Sequence, residues 1–214
     1  MWHRLADVLF PPVCTLCRDR LPGAPEPVCA RCRVSLESLA CRAPLPLGAH
    51  ARAAFRYEGT ARQALLCFKY HDRHRLGPWL SARMAEAVPQ DRPWTEIDLV
   101  TAVPLHWLKR RLRGADPVGS LGRSVAARLG KPWRPAALTR RRWTTTQTRL
   151  TPAQRQRNVA RAFRARPHDV SGRSVLLIDD ILTTGATSQA CAHALRQAGA
   201  ARVLVLTAAA TPGA

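Results

Sequence analysis

Residues 175–187 read VLLIDDILTTGAT, the segment with the clearest structural pattern in the chain. Four apolar residues at Val175–Ile178 predict a strand that delivers Asp179 and Asp180 to its carboxyl end. A short turn then opens a helix, and an apolar stretch at Arg202–Thr207 predicts the next strand. Strand, helix and strand in this order form a βαβ unit. We therefore expect an α/β fold, in which a parallel sheet is flanked by helices.

The chain from Ala51 onward continues this alternation. The segment Ile97–Val103 is rich in β-branched residues and stops at Pro104, so it predicts a buried strand. Thr60 stands where a helix cap is expected. The predicted helices are Thr60–Tyr70, Leu76–Val88, Val118–Leu129, about Pro152–Phe163 and Ala186–Ala198, with Gly199 as the C-cap of the last; the other predicted strands are Ala53–Tyr57, Ala136–Leu138 and Ser174–Ile178, with a turn at Asp179–Gly185.

The two adjacent acids and the turn after them indicate a binding site. Ligands of open α/β sheets bind at the carboxyl edge of the strands. Neighbouring carboxylates repel each other, and they are tolerated where hydroxyl donors or a cation compensate the charge. The helix that follows offers free backbone N–H groups and the positive end of its dipole, which suit a phosphate. Gly185 lets the backbone approach a ligand closely, and hydroxyl donors stand at Thr183, Thr184 and Thr187.

The few residues between the acids and the turn correspond to the span from a ribose diol to its 5′-phosphate. One segment can thus hold both ends of a sugar phosphate. The alternative is a buried strand followed by a helix that the acids merely cap. A single cap does not require two acids and three threonines.

The segment resembles the phosphoribosyl pyrophosphate (PRPP) motif of type I phosphoribosyltransferases. The resemblance implies that Asp179 and Asp180 face the ribose hydroxyls, directly or through Mg²⁺. It places the 5′-phosphate against Thr183, Thr184, Gly185, Ala186 and Thr187. Many members carry an acid where Thr183 stands, as a base for the incoming nucleophile. Because this chain has none there, we assign no catalytic residue.

Further motifs resemble the ComF (GntX-like) family, with a type I phosphoribosyltransferase-like domain and an N-terminal zinc ribbon. The family implies a role in DNA uptake during natural transformation. It also implies contact with single-stranded DNA and with proteins of the competence machinery. The motifs are Leu66–Tyr70 with Phe68-Lys69-Tyr70, Asp98–Leu105 with Val103-Pro104-Leu105, Arg113-Gly114, Thr146-Gln147, Leu150, Arg155, Asn158, Ala162 and Phe163.

The family pattern also suggests a pyrophosphate side of the site. The loop that starts at Val103 would face pyrophosphate, and Thr139–Asn158 would form a mobile flap rich in arginine. Where relatives usually have Arg-Gly-Phe-Asn-Gln, this chain loses an aromatic residue and two amides at Ala115-Asp116-Pro117. The candidate residues for pyrophosphate and flap contacts are Val103, Pro104, Lys109, Arg113, Gln147 and Arg155.

Composition points to a cytoplasmic protein with an anionic partner. No segment approaches the roughly 20 apolar residues of a membrane span, and Met1–Phe10 lacks the apolar core of a signal peptide, so we expect no membrane insertion. The formal net charge of +20 comes from 34 basic and 14 acidic residues. Only three of the basic residues are lysines, an arginine bias that GC-rich coding explains. That bias does not explain the shortage of acids, which favours nucleic acid or polyphosphate as a partner.

Seven cysteines in a reducing compartment suggest metal binding before disulfides. Cys14, Cys17, Cys29 and Cys32 form two C-x2-C pairs, which predict a structural Zn²⁺ site with a closed coordination shell. Relatives begin a further pair at the position of Cys41, but Pro44 occupies its partner position. Cys67 and Cys191 lie on apolar helical faces and are expected in the core. We divide the chain into a zinc-ribbon module at 1–48 and a phosphoribosyltransferase-like domain at 49–214.

Three functions remain open on this evidence. The first is a ComF-type protein that binds PRPP or a related phosphoribosyl ligand and acts in transformation. The second is a salvage enzyme that transfers phosphoribose to a nucleobase, although a zinc module stands where such enzymes have a base-specific hood. The third is a non-enzymatic nucleic-acid-binding or regulatory protein with a relic sugar-phosphate site. The composition argues against this third function, because the chain has few aromatic residues on which bases could stack: six Trp, two Tyr and four Phe.

Overall fold

The computed structural model describes residues 12–21, 26–41, 45, 50–71, 73–105, 116–140 and 162–211. Its helices are α1 (Ala30–Glu37), α2 (Gly59–Tyr70), α3 (Arg73–Glu86), α4 (Pro117–Arg128), α5 (Pro167–Val170) and α6 (Ala186–Gln197). Its strands are β1 (Ala51–Arg56), β2 (Leu99–Ala102), β3 (Leu138–Arg140), β4 (Phe163–Ala165), β5 (Ser174–Leu182) and β6 (Arg202–Ala210). Short 3₁₀ turns lie at Trp94–Glu96 and Pro135–Ala137.

Four strands form one parallel sheet in the order β1-β6-β5-β2. The predicted parallel sheet with flanking helices is therefore confirmed. The strand with the acid pair, β5, lies inside the sheet between β6 and β2. All four strands run in the same direction, so their carboxyl ends meet at one edge. Asp179 and Asp180 lie toward that edge.

Successive residues of β5 enter two separate apolar cores. Leu176 and Ile178 belong to the core that also contains Leu80 of α3 and Leu121 of α4. Val175 and Leu177 belong to the opposite core, with Leu195 of α6. Side chains alternate across a strand. Because helices cover both faces of the sheet, β5 is apolar throughout Val175–Ile178 instead of alternating with polar residues.

Irregular segments cover both outer edges of this sheet. Beside β1, Ala40 forms an antiparallel bridge with Phe55, and the Cys41 N–H donates to the Ala54 carbonyl at 3.1 Å. Beside β2, Val100 both donates to the Pro132 carbonyl and accepts from the Arg134 N–H, each at 2.9 Å. These contacts satisfy backbone groups that an open edge would leave for another chain.

The strand with the acid pair is longer than the sequence predicts. The expected turn at Asp179–Gly185 contracts to residues 183–185, because β5 continues to pair with β6 as far as Leu182 opposite Ala210. Alanine has a low strand propensity, so the alanines at the end of β6 do not by themselves predict a strand. Their pairing is decided by the neighbouring strand, and as a result the acids are held by ladder hydrogen bonds.

Other boundaries also differ from expectation. Thr60 does not cap α2, since Glu58 occupies the N-cap position without a side-chain bond and the Thr60 hydroxyl instead contacts Ser35 Oγ at 2.7 Å. Ala136 lies in a 3₁₀ turn, and the strand begins only at Leu138. Phe163 lies in β4, which pairs antiparallel with β3, and is therefore not helical. The rest of the helix predicted at Pro152–Phe163 lies outside the described residues, apart from Ala162, which precedes β4.

The cysteine-containing segment packs directly on the sheet domain. Cys14, Leu36 and Phe55 share one core with Phe68 of α2. The boundary between a zinc-ribbon module at 1–48 and a phosphoribosyltransferase-like domain at 49–214 remains a prediction. Within the described ranges, every helix is too short or too polar to cross a membrane.

Candidate functional site

The acid pair lies at the end of β5, and its two members are held differently. Asp179 is buried, and Asp180 is partly buried beside it. The Asp180 N–H donates to Asp179 Oδ1 at 2.8 Å, and Ser188 Oγ of α6 donates to Asp179 Oδ2 at 3.5 Å. Asp179 thus connects the strand to the following helix. Asp180 remains the more accessible carboxylate.

Burial changes the protonation of Asp179. Removal from water, reinforced by the neighbouring charge of Asp180, raises the pKa of Asp179 to about 7. The Asp180 N–H, Lys69 and Ser188 each act in the opposite direction, but they do not outweigh burial. Near neutral pH, the pair therefore holds a proton part of the time and can donate as well as accept a hydrogen bond.

Lys69 supplies the positive charge beside this pair. Its Nζ lies 2.6 Å from Asp180 Oδ2, and the two side chains are only 17% and 18% exposed. Lys69 belongs to the last turn of α2, far from the acids in sequence. A charge-assisted hydrogen bond at this depth is stronger than an exposed ion pair and fixes the direction of the Asp180 carboxylate.

The turn after the acids presents donors to solvent. Thr183 and Thr184 are exposed, and Gly185 has φ +74°, a conformation that favours glycine. The first backbone bond of α6 runs from the Gln189 N–H to the Gly185 carbonyl at 2.8 Å, so the preceding N–H groups have no intrahelical partner. The hydroxyls of Thr183, Thr184 and Thr187 bond no other residue in the described part of the chain.

This geometry removes the simpler alternative for the acid pair. Gly185 is the N-cap of α6, and no side chain caps this helix. Among the residues that the structure describes, the hydrogen bond between Asp179 and α6 runs through the Ser188 hydroxyl. The acids therefore serve another purpose than capping, and the unpaired donors of the turn lie on the same edge of the sheet.

The first predicted pyrophosphate residues lie beside the acid pair. The Val103 N–H donates to the Ile178 carbonyl at 2.9 Å, which places the end of β2 level with Asp179. Val103 and Pro104 line a cavity of about 390 Å³. Trp133, Leu138 and Arg140 are among its other walls. The remaining candidates of this group, Lys109, Arg113, Gln147 and Arg155, lie outside the described residues.

The departure from the family pattern at Asp116-Pro117 has a local explanation. Asp116 is the N-cap of α4, and its Oδ1 accepts the Gly119 N–H at 2.9 Å. Pro117 takes the first helical position, where its missing N–H costs nothing. The carboxylate that the sequence gains here starts a helix, and it also borders the cavity beside Val103.

The four predicted metal ligands converge. Sγ atoms of Cys14, Cys17, Cys29 and Cys32 all lie within 4.8 Å of one another, and all four thiols are free of disulfides. Cys17 Sγ and Cys29 Sγ are 3.6 Å apart. In a tetrahedral site with Zn–S bonds of about 2.3 Å, sulfur atoms are separated by about 3.8 Å. The cluster therefore fits a metal ion of that size.

Backbone donors favour the thiolate of Cys14, whereas burial raises the pKa of Cys32 in the same cluster. Burial opposes ionisation of Cys14, but backbone N–H groups of Cys17, Cys29 and Leu16 outweigh it and lower the pKa of Cys14 to about 6. The Cys29 N–H donates to Cys14 Sγ at 3.3 Å. A thiolate is the form that binds zinc.

The other cysteines are structural in position. Cys191 lies fully buried in α6, and burial raises its pKa well above the usual range, as expected of a core residue. Cys67 packs against the core around α2. Cys41 is half-buried against the opposite core and lies outside the four-sulfur cluster.

Comparison with known proteins finds one domain family and several relatives of this chain. Residues 120–213 match the phosphoribosyl transferase domain family. The DNA utilization protein YhgH of Escherichia coli (strain K12) is 33% identical over 140 residues, which cover 64% of this chain and 61% of that protein. The YhgH protein of Salmonella typhi is 38% identical over 109 residues, 50% of this chain and 47% of that protein. The chain is ComF-like and carries a type I phosphoribosyltransferase domain. It spans about three fifths of the length of its E. coli relative.

Two further similarities are more distant. The amidophosphoribosyltransferase of E. coli (strain K12) is 27% identical over 142 residues, which cover 65% of this chain and 25% of that enzyme. Among solved structures, the glutamine PRPP amidotransferase from B. subtilis is 27% identical with a TM-score of 0.41. The match covers 60% of this chain and 25% of the B. subtilis chain.

Three residues around the acid pair and the cavity beside Val103 are not identifiable as site residues from the sequence. Lys69 stands out only as part of the Phe68-Lys69-Tyr70 motif, and nothing in the sequence distinguishes Ser188 or Trp133. The one available signal was compositional, because Lys69 is one of three lysines in a chain that otherwise uses arginine. Long-range contacts of this kind have no periodicity that a sequence reveals.

Proposed function

We propose that this chain binds PRPP or a related phosphoribosyl ligand at the carboxyl edge of β5. The observation that carries the proposal is the juxtaposition of a buried acid pair with the uncapped N-terminus of α6. Asp179 and Asp180 contact the ribose hydroxyls, while Thr183–Thr187 and the N–H groups of α6 bind the 5′-phosphate. Pyrophosphate lies toward Val103 and Pro104.

Mg²⁺ accompanies PRPP in this proposal and supplies neutralisation of the pyrophosphate charge. Two features limit how the acid pair can bind this cation. Asp180 already contacts the Lys69 ammonium group at 2.6 Å, and Asp179 is buried. Mg²⁺ would therefore be held mainly by ligand oxygens, and Asp180 is the protein carboxylate that would join them if the Lys69 contact were displaced. Lys69 neutralises Asp180 in the meantime.

The direct test is calorimetric titration of Mg²⁺-PRPP into metal-loaded protein. The test variant carries Asp179→Asn and Asp180→Asn, which keep the size of both side chains and remove their charge. Asp91→Asn is the matched control, because Asp91 is exposed and lies in the segment before β2. We expect micromolar binding to the wild type and the control, and its loss in the double variant.

The same titration separates the alternatives. An affinity that the double variant retains contradicts the proposed site. Binding accompanied by pyrophosphate release in the presence of a nucleobase supports a salvage enzyme. Absence of PRPP binding by the wild type, with DNA binding that survives loss of both acids, supports a nucleic-acid-binding protein with a relic site.

We further propose that the protein acts in DNA uptake or use and contacts single-stranded DNA. The support is the name of its curated relatives, DNA utilization protein, together with a formal net charge of +20. Counterion release makes such contact strongly salt-dependent. Partners in the competence machinery follow from the same role.

Zn²⁺ is the metal that we propose for the four-cysteine cluster. Four thiolates close a tetrahedral shell, so the ion is structural and offers no position to a substrate. We propose the cytoplasm as the compartment, since seven free thiols persist where the thiol pool is reducing.

A further inference from the structure

A second concave surface lies away from the acid pair. It is formed by the cysteine-containing segment, α3 and α4, and has a volume of about 460 Å³. Its polar walls are His74, Arg75 and Arg83 of α3, Arg128 of α4 and Glu26. We call this surface the basic groove. It shares no residue with the cavity beside Val103 or with the turn after β5.

Arginine outnumbers acid in the lining of the basic groove, which contains three arginines and Glu26. Glu26 is already paired with Arg33 at 3.2 Å, and Arg83 pairs with Glu86 at the border of the groove. Arg128 donates to two neutral acceptors, the Pro78 carbonyl at 3.2 Å and Ser81 Oγ at 3.4 Å. Within the described ranges Arg128 forms no ion pair. The groove is thus a concave site of net positive charge, which attracts anions.

The protein holds these guanidinium groups in place. Arg75 Nη1 donates to the Val13 carbonyl at 3.2 Å. Arg83 lies over the ring of Trp79, 5.9 Å from its centroid, and also pairs with Glu86 on the exposed side. Planar guanidinium groups fixed in this way suit the oxygens of phosphate groups.

The aromatic wall does not offer a face for base stacking. Trp79 is only 9% exposed, and its ring lies parallel to that of Phe55, with 6.1 Å between the centroids. A bound strand therefore contacts the groove through its phosphates and not through its bases. Contacts of this type position a nucleic acid without reading its sequence.

We infer that the basic groove binds the phosphodiester backbone of single-stranded nucleic acid through Arg75, Arg83 and Arg128. The inference rests on the proposed DNA contact and assigns it to one surface. A sugar monophosphate is a poorer fit, because the groove has neither a carboxylate pair for ribose hydroxyls nor a glycine turn at a helix start. A flexible single strand enters a groove, whereas a rigid duplex presents only its outer phosphates.

The experiment measures binding of fluorescein-labelled oligodeoxythymidylate by anisotropy across a range of salt concentrations. A length of about 20 nucleotides exceeds a typical site of roughly 4–16 nucleotides. The test variant carries Arg75→Gln, Arg83→Gln and Arg128→Gln. The matched control carries Arg166→Gln, Arg173→Gln and Arg196→Gln, which remove the same charge from exposed positions around α5 and α6.

We expect the groove variant to bind at least about tenfold more weakly than the control. Loss of three phosphate contacts also lowers the slope of log affinity against log salt by about 2, since each contact in a single strand contributes about 0.7. Oligodeoxyadenylate should give the same result as oligodeoxythymidylate. An unlabelled duplex should compete less well than an unlabelled single strand.

Several results would overturn the inference. If both triple variants lose the same affinity for DNA, only the net charge of the protein matters. A preference for one oligonucleotide sequence over another would contradict binding through the backbone. If the wild type binds no single-stranded DNA, the proposed DNA contact fails as a whole, which is distinct from failure of the groove alone. Arg75→Glu alone, at an exposed position, keeps the test decisive if the triple variant melts below the assay temperature.

Discussion

The ammonium group of Lys69 lies 2.6 Å from the Asp180 carboxylate, at the end of the strand that carries the acid pair. This contact joins α2 to β5 across the molecule. It neutralises one carboxylate while burial keeps its neighbour, Asp179, partly protonated. The proposed ribose site is therefore assembled with its charge already compensated, before any ligand or metal arrives.

Replacement of Lys69 should weaken phosphoribosyl binding. In Lys69→Met, Asp180 loses its fixed direction, and we expect the affinity for Mg²⁺-PRPP to fall about tenfold, or about 1.4 kcal/mol. Lys69→Arg keeps the charge and should stay within about threefold of the wild type. Calorimetric titration measures both.

The dependence on Mg²⁺ provides a second readout for Lys69. Without the ammonium group, Asp180 is available to a cation, so PRPP binding by Lys69→Met should respond more steeply to Mg²⁺ than binding by the wild type. An unchanged Mg²⁺ response together with unchanged affinity would show that the ion pair plays no part in the site.

Asp179 should make stability depend on pH in a defined window. Its pKa is about 4 in an unfolded chain and about 7 in the fold, so the folded state binds the extra proton between these values. The stabilisation is complete below about pH 4, declines as the pH rises and is lost above about pH 7. The melting temperature of Asp179→Asn should lack this decline.

The control for the pH experiment is Asp91→Asn, which retains every histidine and the buried acid. Its melting temperature should follow that of the wild type. In Lys69→Met the decline should move to higher pH, because Lys69 lowers the pKa of Asp179. Parallel curves for wild type and Asp179→Asn would contradict the raised pKa.

Loss of one cluster thiol should release the metal. Cys32→Ser leaves three sulfur ligands, and we expect substoichiometric zinc by elemental analysis. A destabilisation of about 3 kcal/mol or more corresponds to roughly 6–12 °C in melting temperature for a chain of this size. Cys41→Ser is the matched control because Cys41 lies outside the cluster. Full zinc content in Cys32→Ser would contradict the four-sulfur site.

Gly122 should not tolerate a side chain. A Cβ atom there would lie 2.6 Å from two atoms of the Trp133 ring, which covers this part of α4. Alanine normally favours a helix over glycine by about 1 kcal/mol, but overpacking costs about 1–3 kcal/mol. We expect Gly122→Ala to be destabilised in thermal unfolding.

A second substitution tests the cause of that destabilisation. Trp133→Phe removes the ring atoms that the new methyl group would meet, so the double variant should recover part of the loss relative to Trp133→Phe alone. Additive effects of the two substitutions would exclude the steric explanation.

Patterns that are local in the chain were predictable. The apolar run before Asp179 gives the buried strand, and the Thr/Gly turn after it gives the start of α6. The two C-x2-C pairs give the sulfur cluster, because four ligands in this spacing have few other uses. Boundaries were less predictable at Leu182 and Ala210, where each strand is extended by pairing with the other.

Local sequence patterns were sufficient to predict the fold class, the acid pair at the end of its strand and the four-cysteine cluster, since each depends on residues close together in the chain. The contact of Lys69 with Asp180 and the shared groove of Arg75 and Arg128 appear only in the folded protein. These pairs are brought together by the packing of α2, α3 and α4 on the sheet. Side chains that meet across a packed core have no fixed spacing in sequence. Their proximity follows from the fold and not from any local pattern.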